Sequence, residues 1–366
     1  MRKLLVALFT LSLIAMPSAQ AETPVIRIVD KAHTNFDGTF RNNELAVTLL
    51  PNGKLGKLIY GQISTRRTYV IDAALIDEIQ NMADGYSFAG EEDPAGALTA
   101  RDWLSRLRSV VAYNDVVALP YGNPDEKLVK SLAPSELEFY SLYAQARLQT
   151  SLKRSVIAQN GWGTGTSRLG YPFIKSYTKN RRLLTGLSTI STSSEITNVR
   201  ARLAIVMNPL LTRDDRAYFS YNLTAAVEKL SNRLKVIPGR YQITSKSAKL
   251  PITLVNNFDT ASVVSVSLIP MNSRMQVENI NNITIAAKSR QQILVPVDVI
   301  APGSTLVLAQ LMNSKGQLVG QPSKLNLTAT IIDSRVAWFT TGAAVLLFLG
   351  AVTQSVRRVR RSRNEK

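Results

Sequence analysis

Cysteine is absent from this chain, and its 366 residues include only one histidine. The lack of cysteine excludes disulfides, thiolate nucleophiles and thiolate metal ligands. A single histidine excludes a two-histidine zinc site and the H-E-x-x-H motif within one chain. That histidine, His33, stands in the polar stretch KAHTNFDGT and is predicted to be a loop residue. We therefore expect neither a metal ion nor another cofactor.

Long apolar runs without charge are scarce, and the first of them lies at the N-terminus. Two basic residues precede LLVALFTLSLIAM, which is too short to span a membrane, and PSAQA follows it. Ala19 and Ala21 stand at the two positions that a signal peptidase reads. This arrangement is typical of a secretory signal, and the alternative is a buried N-terminal helix. We predict that residues 1–21 are a signal peptide and that the mature chain begins near Glu22.

The second apolar run, VAWFTTGAAVLLFLGAVTQSV, contains no charged residue and lies near the C-terminus. As a helix it would extend roughly 31 Å, and the hydrocarbon core of a membrane is about 30 Å thick. We predict a transmembrane helix over residues 335–356. Trp338 and Phe339 fit an aromatic anchor at its outer interface.

Basic residues follow this predicted span at once, beginning with Arg357 and Arg358. The positive-inside rule places such a tail, residues 357–366, in the cytoplasm and the large N-terminal part outside. The pattern predicts a single-pass protein of the cell membrane with an extracytoplasmic N-terminal domain and a cytoplasmic C-terminal tail.

The formal net charge is +18, and most of it lies on the predicted exported part. A basic exterior favours anionic partners such as lipid headgroups, an anionic wall polymer or a lipid-linked precursor. Nucleic acid is not expected, because the compartment is wrong and no recognised nucleic-acid motif occurs. The alternative is a solvated basic surface with no specific partner.

Period-two patterns fill the segment 237–334, before the predicted span. Val264, Val266 and Leu268 alternate with serine, and KLNLTATI alternates in the same way. Such alternation, broken by turn signals, is typical of half-buried antiparallel strands. The segment has room for about seven or eight strands, the size of an immunoglobulin-like β-sandwich. We predict that general architecture, with a stalk or binding role, although the Cys-Trp-Cys core is absent.

The segment 66–236 alternates strand and helix patterns instead. YVI and DVVALPY have the composition of strands, and TARDWLSRLRSVVAY places its apolar residues on one helical stripe. We predict a degenerate or truncated, barrel-like α/β domain with a partly parallel sheet. VIRIV, ELAVTLL and LGKLIYGQI predict an N-terminal β segment over residues 22–65. The predicted fold class is α+β multidomain, ending in the sandwich and one transmembrane helix.

Four parts of the chain, in this order, resemble a known family: YVIDAALIDEI, WLSRLRSVVAYNDVVALPYGNPDEKL, LPITLVNNFDTASVVSVSL and the terminal span with its arginine tail. The chain resembles, over most of its length from Arg66 onward, an actinobacterial group of membrane-anchored envelope proteins of unknown function. Members are often labelled glycoproteins and are frequently encoded beside the lipid II flippase. The resemblance implies a role in cell-wall or envelope biogenesis, and a membrane protein is among the partners that we expect.

The middle part of that family is distantly similar to polysaccharide deacetylase barrels. Those enzymes hold a metal ion with one aspartate and two histidines, and this chain cannot supply the histidines. The resemblance also makes the chain short for the family, and we expect it to lack the longer N-terminal β-domain and part of the barrel. The resemblance therefore does not extend to a metal-dependent activity.

Two aspartates, Asp72 and Asp125, are candidates for catalysis. Each comes after a predicted strand, where α/β proteins place their sites, and a glycosidase pair needs carboxyl groups ~5 to 9.5 Å apart. Helix initiation explains the same residues. Asn123 would be the N-cap, Pro124 the first helical residue and Asp125 part of the first turn, and Asp72 would cap the helix that begins AALIDEI.

Two functions therefore compete. The first, which we prefer, is a non-catalytic binding or scaffolding protein of the envelope without catalytic residues. The alternative is a metal-independent carbohydrate-active enzyme that uses Asp72 and Asp125.

Overall fold

The computed structural model of this chain describes residues 23–61, 65–158, 168–330 and 334–363. The predicted signal peptide, with Ala19 and Ala21, lies outside the described residues. Within these ranges the protein is a mixed helix-and-sheet structure with curled half-barrel sheets and one apolar C-terminal helix.

Strands and helices alternate in the first part of the chain. Its elements are β1 (Val25–Ile28), α1 (Glu44–Leu49), α2 (Gly56–Tyr60), β2 (Thr68–Ile71), α3 (Ala73–Ala83), β3 (Ser87–Phe88), β4 (Glu91–Glu92), α4 (Pro94–Val111), β5 (Asp115–Ala118), α5 (Glu126–Leu132), α6 (Pro134–Leu152), β6 (Ile157–Ala158), α7 (Tyr171–Ser188), α8 (Ser194–Arg202), a 3₁₀ helix (Leu203–Met207) and α9 (Arg213–Ser231). Four strands form a sheet in the order β1-β2-β5-β6, and every pair in it is parallel. We call this part the α/β region.

The strands of this sheet are apolar on both faces, as is usual for a parallel sheet covered on both sides. In β2, Tyr69 and Ile71 join the main hydrophobic core of the protein. Val70, between them, points to the other face and packs with Val117 and Leu119 in a small separate cluster. Because both faces of these strands are buried, their sequences are continuously apolar and do not alternate between apolar and polar residues.

The prediction of a β segment over residues 22–65 is wrong for most of that segment. VIRI forms β1, but ELAVTL forms α1 and GKLIY forms α2. The buried residues of α1 are Leu45, Ala46 and Leu49, which is helical spacing, while Val47 is 61% exposed. The stretch is short, and the alternation of Leu45, Val47 and Leu49 imitates the period of a strand, so the helical period is hidden. β1 itself belongs to the parallel sheet rather than to a separate unit.

Strands dominate the second part of the chain, which we call the β region. Its elements are β7 (Leu234–Val236), β8 (Gly239–Ile243), β9 (Ser247–Asn256), β10 (Ser262–Pro270), β11 (Met275–Val277), β12 (Ile280–Ile285), β13 (Ser289–Val299), β14 (Gly303–Met312) and β15 (Ser323–Ala329). They form two sheets with the orders β12-β10-β14-β15-β8 and β11-β13-β9-β7. The pairs are antiparallel except β15 with β8. The assignment of these sheets to the immunoglobulin type stays a prediction.

The alternation that predicted the strands is confirmed in β15 but only in part in β10. In β15 the leucines and Ala329 are buried, while Lys324 and Asn326 are exposed. In β10, Ser265 and Ser267 are also buried, at 9% and 8% exposure. Ser265 accepts a hydrogen bond from the backbone N–H of Asn282, so its hydroxyl retains a polar contact.

The β region contacts the α/β region at one end of its strands and continues into the last helix at the other end, as the strand register shows. At the start of β10, Val263 donates its backbone N–H to the carbonyl of Ile190 in the α/β region, at 3.0 Å; we call this end distal. At the opposite, proximal end, β15 finishes at Ala329, and the last helix begins at Ser334. Nine residues of β10 run between the two ends, a length of roughly 30 Å. The β region therefore separates the α/β region from the point where the last helix begins.

The last helix, α10 (Ser334–Arg363), contains a 21-residue segment, Trp338–Arg358, that is long and apolar enough to cross a membrane. None of this segment is buried against the rest of the protein. Trp338 and Phe339 are about 80% exposed, at 81% and 80%. A helix that could cross a membrane is therefore found where the span was predicted. Its orientation in the membrane stays a prediction.

Candidate functional site

The carboxyl ends of β1, β2 and β5 meet at one edge of the parallel sheet. Asp72, directly after β2, donates its backbone N–H to the carbonyl of Ile28 at 3.1 Å, and Leu119, after β5, donates to Ile71 at 3.0 Å. Loops at this edge are free to vary without disturbing the sheet, which is why α/β proteins place their sites there. Both candidate aspartates lie in these loops.

Asp72 links two of the loops. Its side chain is 2% exposed, and Oδ1 accepts hydrogen bonds from the backbone N–H of Ala74 at 3.0 Å and of Gly122 at 2.8 Å. Burial raises the pKa of the Asp72 carboxyl to about 7, against the opposing effect of these two donors. Gly122 has φ +78°, and a Cβ there would lie 3.0 Å from Cγ1 of Ile205, so the loop requires glycine. Asp72 is therefore the N-cap of α3, as predicted, and also a cross-link between loops.

Asp125 is the N-cap of α5. It is 1% exposed, its Oδ1 accepts from the backbone N–H of Leu128 at 3.1 Å, and its own N–H donates to the carbonyl of Met207 at 2.9 Å. The prediction that Asn123 caps this helix is wrong by two residues. Gly122 and Asn123 both have positive φ, at 78° and 45°, which lengthens the turn and delays the helix to Glu126.

A cleft of about 690 Å³ opens beside this edge. The loop after β1, the helices α3, α6, α8 and α9, and Tyr121 line it. Its volume lies in the range of small-molecule sites. Among the described residues that line it, neither Asp72 nor Asp125 appears. Asp72 instead borders a separate space of about 10 Å³, which is about the volume that one water probe occupies.

Asp77 and Arg147 form an ion pair in the wall of the cleft. The Arg147 guanidinium donates from Nη2 to Oδ1 of Asp77 at 2.7 Å and from Nε to Oδ2 at 3.0 Å, and Tyr121 donates its hydroxyl to Oδ2 at 3.0 Å. The hydrogen bond to Asp77 raises the pKa of Arg147. Burial, with a smaller contribution from Asp77, raises the pKa of Tyr121 well above its usual range. Donors already occupy both oxygens of Asp77.

Glu78, the next residue of α3, holds the loop after β1 against the cleft. It is 5% exposed and accepts from the backbone N–H of His33 at 3.1 Å and from the hydroxyl of Thr34 at 2.7 Å. Arg202 binds the same loop from the other side, through Nη2 to the carbonyl of Thr34 at 3.1 Å, and lies over the ring of Phe36. The carboxylate of Glu78 thus positions the loop that borders the cleft.

His33 lies in a loop, as predicted, but it is 2% exposed. Its Nε2 is 3.6 Å from Oδ2 of Asp30, and Nζ of Lys54 is 2.9 Å from Oδ1 of the same carboxylate. Burial alone would raise the pKa of Asp30, but the contact with His33 and the hydrogen bond from Lys54 outweigh it and lower the pKa to about 2. This cluster lies at the same sheet edge and anchors the loop after β1.

Several groups that face the cleft retain capacity for a ligand. The side-chain nitrogen of Asn222 is buried and has no hydrogen-bond partner among the described residues. Lys229, about two turns further along α9, is exposed. Tyr121 and Tyr143 meet edge to face, with ring centroids 5.0 Å apart. Amide, amine and aromatic groups together suit a polar ligand with hydroxyl or amide groups.

Sequence reasoning did not find this cleft. Asp77 and Arg147 are 70 positions apart, and neither stands in a recognisable motif. One signal was present: Asp77 and Glu78 are adjacent acids in the first turns of a helix that starts at a strand end, near the expected edge. Adjacent helical residues point in different directions, so one acid meets α6 and the other meets the loop after β1.

Solved structures with similarity each match about a quarter of this chain. A C. elegans MSP family member, WR4, is 12% identical and covers 27% of this chain and 98% of its own, with a TM-score of 0.22. Native E. coli alpha-2-macroglobulin is 14% identical and covers 27% of this chain but 6% of its own, with a TM-score of 0.22. The E. coli chaperone DraB is 12% identical and covers 27% of this chain and 55% of its own, with a TM-score of 0.20. Scores this low support no inference about this protein.

No curated protein matches the chain. One family model matches residues 91–364, about three quarters of the sequence, which takes in most of the α/β region, the β region and α10. This match confirms the prediction that the chain belongs to an uncharacterised family. The chain belongs to the family of unknown function DUF6049.

Proposed function

We propose that this protein is a membrane-anchored, extracytoplasmic binding protein of the cell envelope, and that the cleft beside the parallel sheet takes a segment of an envelope polysaccharide. The predicted signal peptide, cytoplasmic tail and immunoglobulin-like stalk belong to this proposal, as do the actinobacterial origin and the link to a lipid II flippase that the resemblance implies. A lipid-linked precursor carries the same hydroxyl and amide groups and is included as a ligand.

The single observation that supports binding over catalysis is that four acidic side chains in and near the cleft already accept hydrogen bonds from the protein. Asp77 accepts from Arg147 and Tyr121, and Glu78 accepts from the loop after β1. Asp72 and Asp125 are buried N-caps that accept from backbone N–H groups. Catalytic acids and bases must reach the reacting atoms, whereas these four groups hold the frame of the cleft in place.

The charge of the cleft favours a neutral or weakly charged ligand in its interior. Four acids and four bases line it, the acids being Asp37, Asp77, Glu78 and Glu195 and the bases Arg147, Arg202, Lys229 and Arg233. Arg147 pairs with Asp77 and Arg233 pairs with Glu195. An anionic wall polymer would instead contact the wider basic exterior, where attraction is screened by salt.

The enzyme hypothesis retains one favourable feature, the Asp72 carboxyl, whose pKa is raised by burial to about 7. A group with that pKa is suited to proton transfer at neutral pH. Asp72 borders the small space rather than the cleft, so we do not propose it as a catalytic residue.

The test uses the purified full chain in detergent and soluble fragments of envelope polysaccharide, one neutral set and one acidic set. We expect saturable binding by calorimetry and no release of reducing ends. Asn222→Ala and Lys229→Ala, which alter the cleft, should each weaken binding about tenfold, the effect of losing one ligand contact. Lys324→Ala, an exposed lysine on β15, is the matched control and should leave binding unchanged.

Three outcomes would overturn this proposal. Equal affinity in Asn222→Ala, Lys229→Ala and Lys324→Ala would place the ligand outside the cleft. Release of reducing ends that disappears in Asp72→Asn would favour the enzyme. Binding only to the acidic set, lost at high salt and indifferent to the cleft variants, would assign recognition to the basic exterior.

A further inference from the structure

Three loops meet at the proximal end of the β region, where the chain leaves it for α10. They are residues 244–246, 271–274 and 300–302, and we call them the proximal loops. Backbone hydrogen bonds join them: Val299 donates to the carbonyl of Lys246 at 2.8 Å, and Ile300 donates to that of Arg274 at 2.8 Å. Nη1 of Arg274 also donates to the carbonyl of Pro302 at 2.6 Å. The three loops therefore form one connected edge.

This edge exposes large apolar side chains. Met271 is 60% exposed and Ile300 is 66% exposed, and neither stands in a strand. Isolated apolar residues on a surface are ordinary. Here, however, two of them directly follow strands and lie in loops that are hydrogen-bonded to one another, at the end of the β region that leads to the apolar helix.

Charges beside these apolar residues are mainly basic. Lys246 and Arg274 are exposed within the proximal loops, and the nearest acid along the adjoining strand is Asp298. Oδ1 of Asp298 accepts a hydrogen bond from the hydroxyl of Ser247. The edge thus combines two exposed apolar side chains with two exposed cations, which is the composition of a surface that binds at the headgroup level of an anionic bilayer.

The length of the connection restricts where this edge can be. Thr330, directly after β15, donates its backbone N–H to the carbonyl of Ile243 at 2.9 Å, so the end of β15 is tied to the edge. The helix α10 begins at Ser334. Four residue steps reach at most roughly 14 Å. If α10 spans a membrane, Thr330 lies within that distance of its start, and the proximal loops lie at the same end of the β region.

We propose that the proximal loops form a membrane-contact surface that rests on anionic phospholipid, with Met271 and Ile300 inserted between headgroups and with Lys246 and Arg274 over the phosphates. This inference rests on the proposed membrane span of α10. The contact adds a second attachment beside the span, and it holds the β region upright. The α/β region, at the distal end, is then kept roughly 30 Å from the headgroups.

The absence of cysteine makes this surface testable one position at a time. Met271→Cys and Ile300→Cys, each labelled with an environment-sensitive fluorophore, report on the proximal loops. Ala287→Cys is the matched control, because Ala287 is exposed just after β12 at the distal end. The full chain is reconstituted into vesicles of anionic phospholipid that carry a quencher at the headgroup level, and flotation with the vesicles is measured on the same samples.

We expect quenching of the labels at 271 and 300, none at 287, and flotation of all three proteins. Quenching of the label at 300 gives the ratio of molecules whose proximal loops touch the membrane to molecules whose loops do not. Lys246→Gln should lower this ratio about fivefold, the effect of one basic residue at an anionic surface. Lys235→Gln, on β7 at the distal end, is its charge-matched control and should leave the ratio unchanged. Ile300→Asp should reduce quenching of the label at 271.

Each remaining outcome has a distinct meaning. Flotation without quenching at 271 and 300 would overturn the membrane-contact surface and leave the span intact. Equal quenching at 271, 300 and 287 would overturn the upright orientation. Failure to float would contradict the span itself, on which the proposed function also depends. The quenching is also measured in vesicles of neutral phospholipid. Equal quenching in neutral and anionic vesicles would refute the part assigned to Lys246 and Arg274.

Discussion

Oδ1 of Asp72 lies 2.8 Å from the backbone nitrogen of Gly122, and this hydrogen bond joins the loops after two neighbouring strands of the parallel sheet. The same oxygen accepts the N–H of Ala74 and so caps α3. One side chain therefore fixes the start of a helix and the position of the turn that leads to Tyr121 in the cleft. Its chemistry resembles that of a catalytic carboxylate, but its contacts are those of a structural cross-link.

Replacement of Asp72 by asparagine and by alanine should separate these roles. Asparagine retains an oxygen at Oδ1, so Asp72→Asn should keep both hydrogen bonds and change the free energy of unfolding by less than about 1 kcal/mol at pH 6. Asp72→Ala leaves two buried N–H groups without an acceptor and should cost roughly 2–5 kcal/mol. Urea denaturation of the two variants measures both. Equal destabilisation by the two changes would show that the carboxylate charge, rather than the acceptor, is required.

The raised pKa of Asp72 makes a specific prediction for the dependence of stability on pH. The carboxyl has a pKa of about 7 in the folded protein and 3.8 as its ordinary value, so the folded state binds the proton more tightly. The contribution of this group is therefore fully present below pH 4 and is lost as the pH rises toward 7. Asp72→Asn should remove this fall in stability between pH 4 and 7. Parallel curves for the wild type and Asp72→Asn across that window would contradict the raised pKa.

Asp30 should affect the dependence of stability on pH in the opposite direction to Asp72, and at lower pH. Burial alone would raise its pKa, but the contact with His33 and the hydrogen bond from Lys54 outweigh burial and lower the pKa to about 2. Stability from this group is present above its ordinary pKa of 3.8 and is lost as the pH falls toward 2. Asp30→Asn should therefore flatten the acid limb of the stability curve and leave the region between pH 5 and 8 unchanged in shape. Thermal melting between pH 2 and 5 measures this, and an unaltered acid limb would refute the assignment.

The cap of α5 is tested by a pair of neighbouring changes. Asp125→Ala removes the acceptor of the Leu128 N–H and should cost about 1 kcal/mol, the usual loss for an N-cap. Asn123→Gly should be close to neutral, because Asn123 has φ 45° and glycine adopts such angles without strain. The reverse order of these two effects in urea denaturation would restore Asn123 as the cap. Asp125→Asn, which keeps a capping oxygen, should lie near the wild type.

Sequence patterns predicted those features of this protein that depend on neighbouring residues. Strand and helix alternation from β2 to α6, the N-cap role of Asp72 and the apolar C-terminal helix all follow from local periodicity and composition. The N-cap of α5 is mispredicted because two residues with positive φ, Gly122 and Asn123, lengthen the turn before it. The helix α1 is mispredicted as a strand because its apolar residues alternate over a short stretch. The cleft could not be predicted, because contacts such as that of Asp77 with Arg147 join helices far apart in the chain.

Arg147 and Asp77 should be coupled energetically in a way that lysine cannot reproduce. The guanidinium makes three hydrogen bonds to the carboxylate, and Arg147 is 46% exposed at its side chain. A double-mutant cycle with Arg147→Ala and Asp77→Asn should therefore give a coupling of about 1 kcal/mol, within the range for a partly exposed pair. Arg147→Lys should recover less than half of it, because an ammonium group cannot form the two parallel bonds. Zero coupling would remove the pair from the frame of the cleft.

We predict the orientation of α10 from the basic residues at its C-terminal end, and this prediction is open to a direct test. Arg357, Arg358, Arg360 and Arg361 follow the apolar segment closely, and such clusters are retained on the cytoplasmic side. The chain contains no cysteine, so a single cysteine added after Lys366 or placed at Ala287 is the sole thiol in each variant. A membrane-impermeant thiol reagent applied to intact cells should label Ala287→Cys and should label the C-terminal cysteine only after the membrane is permeabilised. Labelling of the C-terminal cysteine in intact cells, with Ala287→Cys protected, would reverse the orientation and place the cleft in the cytoplasm.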